Sequence, residues 1–458
     1  MFPKMPDSDE RGEVVSSNAE KHPGENSRSV SWLLRHKLVQ NAASLYGVQI
    51  ATYAVPLVTI PYLARVLGVS GWGLVAIAQG FGSYVALLGE YGFGLSATRE
   101  VARHRDDREK LADIFAGVLG AKLALLAISI PLAIFASRWV PLFREHPALF
   151  WAAMFWALAQ GINVMWHFQG LERMRLVAVL DIGAKVLATI GVFLLVKGPQ
   201  DGWLVLVLQG FGFLISAAFG LTLAYREVAF RLPTWSASWS ALRMGWTMFL
   251  FRSSVSLYTA GNAFILGLFV SPEFVGYYAG AEKISRAFVG ILNPISQTLY
   301  PRLSHLVSSA QDRAARLARI SIVMMGGAGA SIGLAIFLLA PVIVHIVLGA
   351  HFTAAIPVLR VLALLVPLVA IGNVLGIQWM LPLGMDSAFN KIIISAGLIN
   401  LSLALFLAPI YKDMGMAWAV VIAETFVSVT LYLVLRSTNL DPLNYKVSPE
   451  VEVAPVFE

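Results

Sequence analysis

Long apolar stretches recur along the chain, separated by short polar stretches. Runs of about 20 mostly apolar residues occur between residues 38 and 436, and a helix of that length crosses a hydrocarbon core roughly 30 Å thick. The pattern predicts an all-α, polytopic membrane protein with about twelve transmembrane helices. The predicted spans are 38–64, 72–92, 112–136, 148–168, 177–196, 203–224, 244–269, 276–300, 319–347, 355–380, 391–410 and 415–435.

The two ends of the chain lack such runs. Residues 1–30 are rich in Pro, Ser and charged residues and have no short apolar core followed by a cleavage site, so they do not read as a signal peptide. Their composition is typical of disorder. We expect a disordered cytoplasmic tail at 1–36 and a second cytoplasmic tail at 437–458.

The Lys and Arg residues predict the orientation. The tails and the loops after even-numbered spans hold 23 of the 34, whereas the loops after odd-numbered spans hold five. Because cytoplasmic loops carry the excess of positive charge, both termini are expected in the cytoplasm. The strongest single indication of this orientation is the loop that contains Arg99, Arg103, Arg105, Arg108 and Lys110.

The composition excludes several classes of protein. The chain is 57% hydrophobic and only 13% charged, whereas soluble domains have about 25% charged residues. Much of its surface must therefore face lipid. The net charge of +7 reflects the loop bias rather than nucleic-acid binding. The chain has no Cys, which excludes disulfides and thiolate sites.

An internal repeat divides the chain into two parallel halves. At an ungapped offset of 203 residues, Gly73 matches Gly276 and Arg99 matches Arg302. The predicted domains are an N-lobe at 37–225 with spans 1–6, a cytoplasmic connector at 226–242 and a C-lobe at 243–436 with spans 7–12. Transporters are often built from two such repeats.

Polar stripes on spans 2 and 8 follow the same offset. At 100° per residue, span 2 places Gln79, Ser83 and Glu90 within about 40° of one another. Span 8 places five polar residues within about 60° by the same count. These five residues are Glu282, Arg286, Asn293, Gln297 and Tyr300. We expect both stripes to face a cleft.

No motif for enzymatic chemistry is present. The chain has no Gly-Lys dipeptide, so a phosphate-binding G-x-x-x-x-G-K-[ST] loop cannot form. It also lacks the H-E-x-x-H motif, and its eight His residues are scattered. We therefore expect no enzyme activity, no cofactor and no metal site.

Charged residues inside the spans are the candidates for a binding site. A central Arg or Lys costs roughly 2.5–3.5 kcal/mol on insertion scales, so such residues usually face the protein interior or water. The candidate cleft cations are Arg252, Arg286, Lys122 and Lys283. The candidate polar cleft residues are Gln49, Gln79, Glu90, Glu282, Asn293 and Gln297. Arg252 has no acidic residue within a turn, which makes it the best single indication of an anionic substrate.

Structural roles remain alternatives for several of these charges. Glu282 and Arg286 are at i,i+4 and could pair along the helix. Asp181 and Lys185 share that spacing in span 5, where pairing is the favoured interpretation. Glu424 in span 12 is either a proton site or a packing hydrogen bond.

Several segments resemble a known family. They are YAVPLVTIPYLARVLGVSGWGLVAIAQ at 53–79, EYGFGLSATREVARHRDD at 90–107, WHFQGLERM at 166–174, VGYYAGAEKI at 275–284 and LYPRLS at 299–304. These runs are similar to bacterial O-antigen and polysaccharide flippases of the multidrug/oligosaccharidyl-lipid/polysaccharide exporter superfamily. The resemblance covers about 38–436.

The resemblance implies two six-helix lobes that face each other across a central cleft. It also implies alternating-access transport of an undecaprenyl-pyrophosphate-linked oligosaccharide across the bacterial inner membrane, for surface polysaccharide assembly. The expected partners are this substrate, membrane lipids, and a polysaccharide polymerase and chain-length regulator. No nucleic acid is expected.

A peptidoglycan-precursor flippase is a close rival, although such flippases usually have fourteen spans, and two other functions also remain open from the sequence. A multidrug or cation antiporter of the same superfamily would be expected to carry acidic residues in span 1, and span 1 has none. A non-transporting scaffold of a polysaccharide assembly complex is the second alternative. The sequence does not indicate the sugar repeat, the coupling ion or the oligomeric state.

Overall fold

The computed structural model describes the backbone of residues 25–444 and the side chains of 58–444, except those of 174–176, 178, 251, 254, 257 and 258. Every regular element of this part is helical. The α-helices are α1 (Glu25–Glu90), α2 (Phe93–Arg103), α3 (Arg108–Ser137), α4 (Pro141–Glu145), α5 (Pro147–Gly161), α6 (Met165–Gly170), α7 (Met174–Leu195), α8 (Gly202–Glu227), α9 (Trp235–Thr259), α10 (Asn262–Gly267), α11 (Pro272–Gly290), α12 (Asn293–Ser309), α13 (Gln311–Val347), α14 (Ala355–Leu362), α15 (Leu365–Gly372) and α16 (Asp386–Ser437). Two 3₁₀ turns (Pro199–Asp201 and Ala350–Phe352) and a π-helix (Asn373–Met380) complete the set.

The helices confirm an all-α fold of twelve spans in two six-helix lobes around a central cleft. The two longest helices are each two spans joined across a break, at Gly68 in α1 (φ 66°) and at Lys412 in α16 (φ 54°). Gly tolerates this left-handed backbone without steric cost. Other spans consist of consecutive shorter helices, such as α5 with α6 and α11 with α12.

Seven stretches of the described residues are long and apolar enough to cross a membrane. They are Val58–Arg103, Arg108–Ser137, Pro147–Gly170, Pro199–Glu227, Gln311–Val347, Ala355–Met380 and Asp386–Ser437. The first and last of these contain the breaks at Gly68 and Lys412. The remaining predicted spans, which correspond to α7, α9 with α10, and α11 with α12, carry the intramembrane charges Lys185, Arg252 and Arg286.

The spans alternate in direction, so the loops collect at two ends. We call the end with loops 104–107, 171–173, 228–234 and 381–385 the basic end, and the end with loops 138–140, 196–198, 268–271 and 348–349 the far end. An ion pair of 2.9 Å between Arg173 and Glu227 joins two elements at the basic end. At the far end, the Tyr62 hydroxyl donates to the carbonyl of Val196 over 2.7 Å.

Residues 228–234, within the predicted connector 226–242, join helices α8 and α9. Helix α8 continues to Glu227, and α9 begins at Trp235, where the Thr234 hydroxyl caps the helix by accepting from the Ala237 N–H. Arg231 in this connector bonds to Asp113 on α3, and that bond raises the pKa of the Arg231 guanidinium. Ion pairing therefore fastens the connector to α3.

The predicted tails lie largely outside the described residues. Residues 1–24 and 445–458 are not described, so the expectation for them stays a prediction. Helix α1 begins at Glu25, inside the segment that the sequence predicted to be disordered. The exact limits of the lobes also stay a prediction.

Candidate functional site

Span 8 changes from buried to accessible along its length. Its far-end part, α11, buries Val275, Tyr278 and Ala281 completely. Its basic-end part, α12, exposes Ile295 and Tyr300, each to 40%. Span 8 is therefore enclosed at the far end and accessible towards the basic end.

The far end is held closed by contacts between the two lobes. Gly73 of span 2 packs against the backbone of Pro272, and Gly276 of span 8 packs against the backbone of Val69. The Arg65 guanidinium donates to the carbonyl of Ile346, at the end of α13. These contacts close the far end of the cleft.

Arg286 lies at the deep end of the accessible part of span 8. Its guanidinium donates to Glu282 over 2.8 Å and to the carbonyl of Thr259 at the end of α9. Its side chain is 45% accessible. A guanidinium that is accessible at this depth remains a candidate to line the cleft.

Arg252 has a carboxylate partner that its own helix does not supply. Its guanidinium lies 3.4 Å from the carboxylate of Glu90. Glu90 is the last residue of α1 and belongs to the polar stripe on span 2. The side chains of Arg252 and Glu90 are 49% and 34% accessible. A guanidinium has five N–H donors, so this single long contact leaves most of them able to bind a second anion.

Lys122 does not face the cleft, contrary to the sequence prediction. It is only 3% exposed, and its ammonium group donates to the carbonyl of Gly161 over 2.9 Å. Gly161 is the last residue of α5, where helix carbonyls lack partners within the helix. Lys122 thus supplies a hydrogen-bond donor to a backbone carbonyl at the break between α5 and α6.

Lys283 lies against residues of span 2. Its ammonium group donates to the Gln79 side chain over 3.2 Å and lies 5.0 Å from the centre of the Trp72 ring. Gln79 in turn donates to Gln209 of α8 over 3.1 Å. These residues line a cavity of about 330 Å³ among the N-lobe spans.

The other predicted polar residues are placed as follows. Glu282 is 14% accessible and accepts from Arg286. Asn293, the first residue of α12, is partly accessible, and Gln297 one turn later is exposed. The side chain of Gln49 lies outside the described residues. Pairing of Asp181 with Lys185 is confirmed by their separation of 2.7 Å.

Two contributors to the site were missed by sequence reasoning. Gln209 interrupts the apolar run LVLVLQGFGF, and that single polar residue was the available signal. The carbonyl of Thr259, which accepts from Arg286, becomes available because α9 ends at that residue. No side-chain pattern marks a backbone carbonyl.

The arrangement places cations and carboxylates in pairs around the cleft. Arg252 faces Glu90 across the lobes, and Arg286 faces Glu282 within its own helix. Both guanidinium groups are about half accessible, and charge-assisted hydrogen bonds to phosphate or carboxylate are among the strong ones. Chemically, two such guanidinium groups are suited to an anionic group that exchanges with, or adds to, these internal partners.

Comparison with known proteins agrees with this architecture. Residues 38–307 match the model of the family described as "Polysaccharide biosynthesis protein". A protein of Escherichia coli (strain K12) named "Putative O-antigen transporter" is 30% identical over 88% of this chain and 98% of its own length.

Two solved structures share the fold. The lipid II flippase MurJ in an inward closed conformation has a TM-score of 0.66 at 14% identity, over 87% of each chain. An inward-facing multidrug resistance MATE family transporter of the MOP superfamily has a TM-score of 0.63 at 16% identity, over 86% of this chain and 99% of its own. The fold, the O-antigen relative and the family match together identify the chain as a membrane transporter that belongs to the polysaccharide biosynthesis protein family.

Proposed function

We propose that the chain is a flippase that moves an undecaprenyl-pyrophosphate-linked oligosaccharide across the bacterial inner membrane for surface polysaccharide assembly. The observation that carries the proposal is the pair of half-accessible cleft cations, Arg252 and Arg286. A pyrophosphate presents several anionic oxygens, and planar guanidinium groups bind phosphate in a bidentate manner. The O-antigen relative supports a glycan as the cargo.

The shape of the cleft fits loading from the cytoplasm. The far end is closed by Gly73, Gly276 and Arg65, whereas α12 is accessible towards the basic end. The excess of Lys and Arg supports a cytoplasmic position for the basic end. Rocking of the two lobes would close the basic end and open the far end, which delivers the glycan to the outer leaflet.

The expected surroundings of this flippase follow from its cargo. Membrane lipids contact the apolar exterior, which includes exposed Phe135, Leu194 and Phe406. A polysaccharide polymerase and a chain-length regulator would take the delivered glycan. Both termini would lie in the cytoplasm.

The test is a flipping assay with purified protein in liposomes. A fluorescent lipid-linked oligosaccharide is placed in both leaflets, and the inner-leaflet fraction is measured by its protection from a reagent that acts only outside. The flippase is expected to expose that fraction with time, whereas protein-free liposomes leave it protected. Continued protection with correctly folded and inserted protein would contradict the proposal and favour the scaffold.

A second lipid serves as the control for cargo specificity in this assay. The same measurement is made with a fluorescent lipid that carries no pyrophosphate. Equal flipping of both lipids would indicate non-specific scrambling, which is not the proposed activity. Flipping of the pyrophosphate-linked lipid alone supports it.

A further inference from the structure

Helix α12, the basic-end half of span 8, has three distinct faces. Leu303 is completely buried and Ser296 accepts from Gln378 over 2.9 Å, so one face packs against the C-lobe. Ile295 is apolar and exposed, as expected of a face towards lipid. At 100° per residue, Gln297 lies about 120° from Leu303 and about 160° from Ile295, on a third face.

The third face is polar and accessible. It consists of four residues that lie within about 60° of one another by the same count. They are Asn293, Gln297, Tyr300 and Ser304, and we call them the α12 stripe. Gln297 and Tyr300 are exposed, and the other two are partly accessible. Because polar side chains within a span usually face the protein interior or water, we expect the stripe to line the central cleft.

The α12 stripe carries no charge. Residues 287–301, between Arg286 and Arg302, contain no Asp, Glu, Lys, Arg or His. The side chains of Gln297 and Tyr300 make no hydrogen bond to any other residue that the structure describes. An amide group supplies two donors and an acceptor, and a phenol hydroxyl supplies one of each. The stripe is therefore suited to a ligand with several neutral polar groups.

The N-lobe lacks a matching stripe. At the offset of 203 residues, the α12 stripe corresponds to Glu90, Gly94, Ala97 and Val101. Ala97 and Val101 are completely buried. Span 2 therefore packs without polar side chains at the last three of these positions, so the repeated fold does not require them. A role in binding explains why one lobe alone carries them.

The closed far end limits the direction in which a ligand can lie. A substrate whose anionic group contacts Arg286 can extend only towards the basic end, because Gly73 and Gly276 seal the opposite end. The α12 stripe runs in that direction for about 16 Å, from Asn293 to Ser304, at 1.5 Å per residue. This length exceeds that of a single sugar ring.

We propose that the α12 stripe binds the sugars of the lipid-linked substrate, through hydrogen bonds to their neutral hydroxyl and amide groups. The inference rests on the proposed function and extends it, since the cleft arginines then bind the pyrophosphate and the C-lobe alone recognises the glycan. Gln297 and Tyr300, the two exposed members of the stripe, determine specificity for the sugars next to the pyrophosphate.

Protection of a single Cys locates the bound glycan. The full chain has no Cys, so Gln297→Cys and Thr298→Cys each give one reactive site. Both positions are exposed, and they lie about 100° apart around α12. Saturating undecaprenyl pyrophosphate that carries the cell's oligosaccharide should slow the reaction of Gln297→Cys with a maleimide and leave Thr298→Cys unaffected. Undecaprenyl pyrophosphate without sugar should protect neither site.

Affinities for the same two lipids test the hydrogen bonds. Gln297→Leu removes the amide group and is expected to raise the Kd for the oligosaccharide lipid about two- to tenfold, the effect of one net hydrogen bond. Its Kd for the sugar-free lipid should not change. Thr298→Val is the matched control, because the Thr298 hydroxyl already donates to the carbonyl of Pro294 over 2.8 Å. It should bind both lipids as the wild type does.

Three results would overturn the proposal. They are equal protection of Gln297→Cys by both lipids, no protection by the oligosaccharide lipid, and an equal change of both Kd values in Gln297→Leu. These measurements report binding and do not require transport. Wild-type protein that binds the glycan in this way but does not flip it in liposomes would contradict the flippase proposal alone.

Discussion

Gly73 and Gly276 pack reciprocally across the boundary between the two lobes. A Cβ on Gly73 would overlap the carbonyl oxygen of Pro272, and a Cβ on Gly276 would overlap the carbonyl oxygen of Val69. Pro272 follows Val69 by the same 203 residues that separate the two glycines. In such a contact, the same surface of each lobe meets its counterpart on the other.

This reciprocity supports the internal repeat that the sequence indicated only weakly. Gly is common in membrane spans, so a match of Gly73 with Gly276 carries little weight by itself. A further correspondence lies in the helix breaks, at residues 91–92 in span 2 and 291–292 in span 8. These breaks fall within about three residues of each other at the offset of 203. Both lobes therefore bend the same span at nearly the same depth.

Gly73→Ala or Gly276→Ala is expected to prevent the far end from closing as it does here. The added methyl group meets a backbone carbonyl, which cannot move aside without moving its helix. The chain has no Cys, so a single Cys at fully buried Val275 can report the change. Its reaction with a membrane-impermeant maleimide should increase in either glycine variant.

Gly327→Ala is the matched control for this experiment. Gly327 also lies inside a helix, but a Cβ there meets no atom within 4 Å. Reactivity at position 275 should remain low in this variant. Equal reactivity in all the glycine variants, or no increase in Gly73→Ala and Gly276→Ala, would rule out a far-end seal at these residues.

The sequence predicted the fold well because a membrane span is recognised from its apolar length, and its orientation from the charge of the adjoining loops. Apolar length and loop charge are local properties, and all twelve predicted spans correspond to helices. Boundaries were less accurate where a helix leaves the hydrocarbon core, as at Trp235 and Glu25. Helices continue there into polar sequence that an apolar pattern does not mark.

The candidate site was less predictable because its partners come from distant spans. The helix of Arg252 offers it no acidic partner, whereas Glu90 of the other lobe lies 3.4 Å away. The depth of Lys122 in span 3 predicts a position in the cleft, but depth alone does not indicate which way a side chain points. Its partner, the carbonyl of Gly161, arises from a helix end that the sequence did not reveal.

The orientation can be tested with two single-Cys variants of the Cys-free chain. Asp106 lies in a loop at the basic end and its side chain is 97% accessible, and Gln200 is exposed at the far end. In cells with a permeabilised outer membrane, an impermeant maleimide should label Gln200→Cys and not Asp106→Cys. Inverted inner-membrane vesicles should give the opposite result. A reversal of both results would place the termini outside.

Lys122→Met is expected to affect stability rather than glycan export. Met keeps most of the apolar volume of the Lys side chain but removes the ammonium group that donates to the Gly161 carbonyl. A buried acceptor without a partner costs about 1–3 kcal/mol. The variant should therefore have a lower Tm than the wild type, while cells with matched protein levels should make normal surface polysaccharide. Lys391→Met, at an exposed position, should change neither quantity. Lost export at normal Tm would instead return Lys122 to the transport path.

Arg252→Ala is expected to show the opposite behaviour, with lost export and nearly unchanged Tm. Its contact with Glu90 is long and half accessible, and such ion pairs contribute only about 0–1 kcal/mol to stability. The proposed role of the side chain is to supply charge and a planar set of donors for a pyrophosphate. Arg252→Lys should keep part of the activity, because Lys supplies the charge without the fork geometry.

Two further variants separate substrate binding from pairing with Glu90. Arg243→Ala is the matched control, because Arg243 is exposed on the same helix, nine residues earlier and about 180° around it. It should export normally. In the double variant Glu90→Arg/Arg252→Glu the ion pair is retained with its charges exchanged. If Arg252 serves the substrate from the C-lobe, this variant stays defective in the liposome assay. If Arg252 only holds Glu90, the exchange restores flipping, and the assignment of Arg252 to the pyrophosphate is wrong.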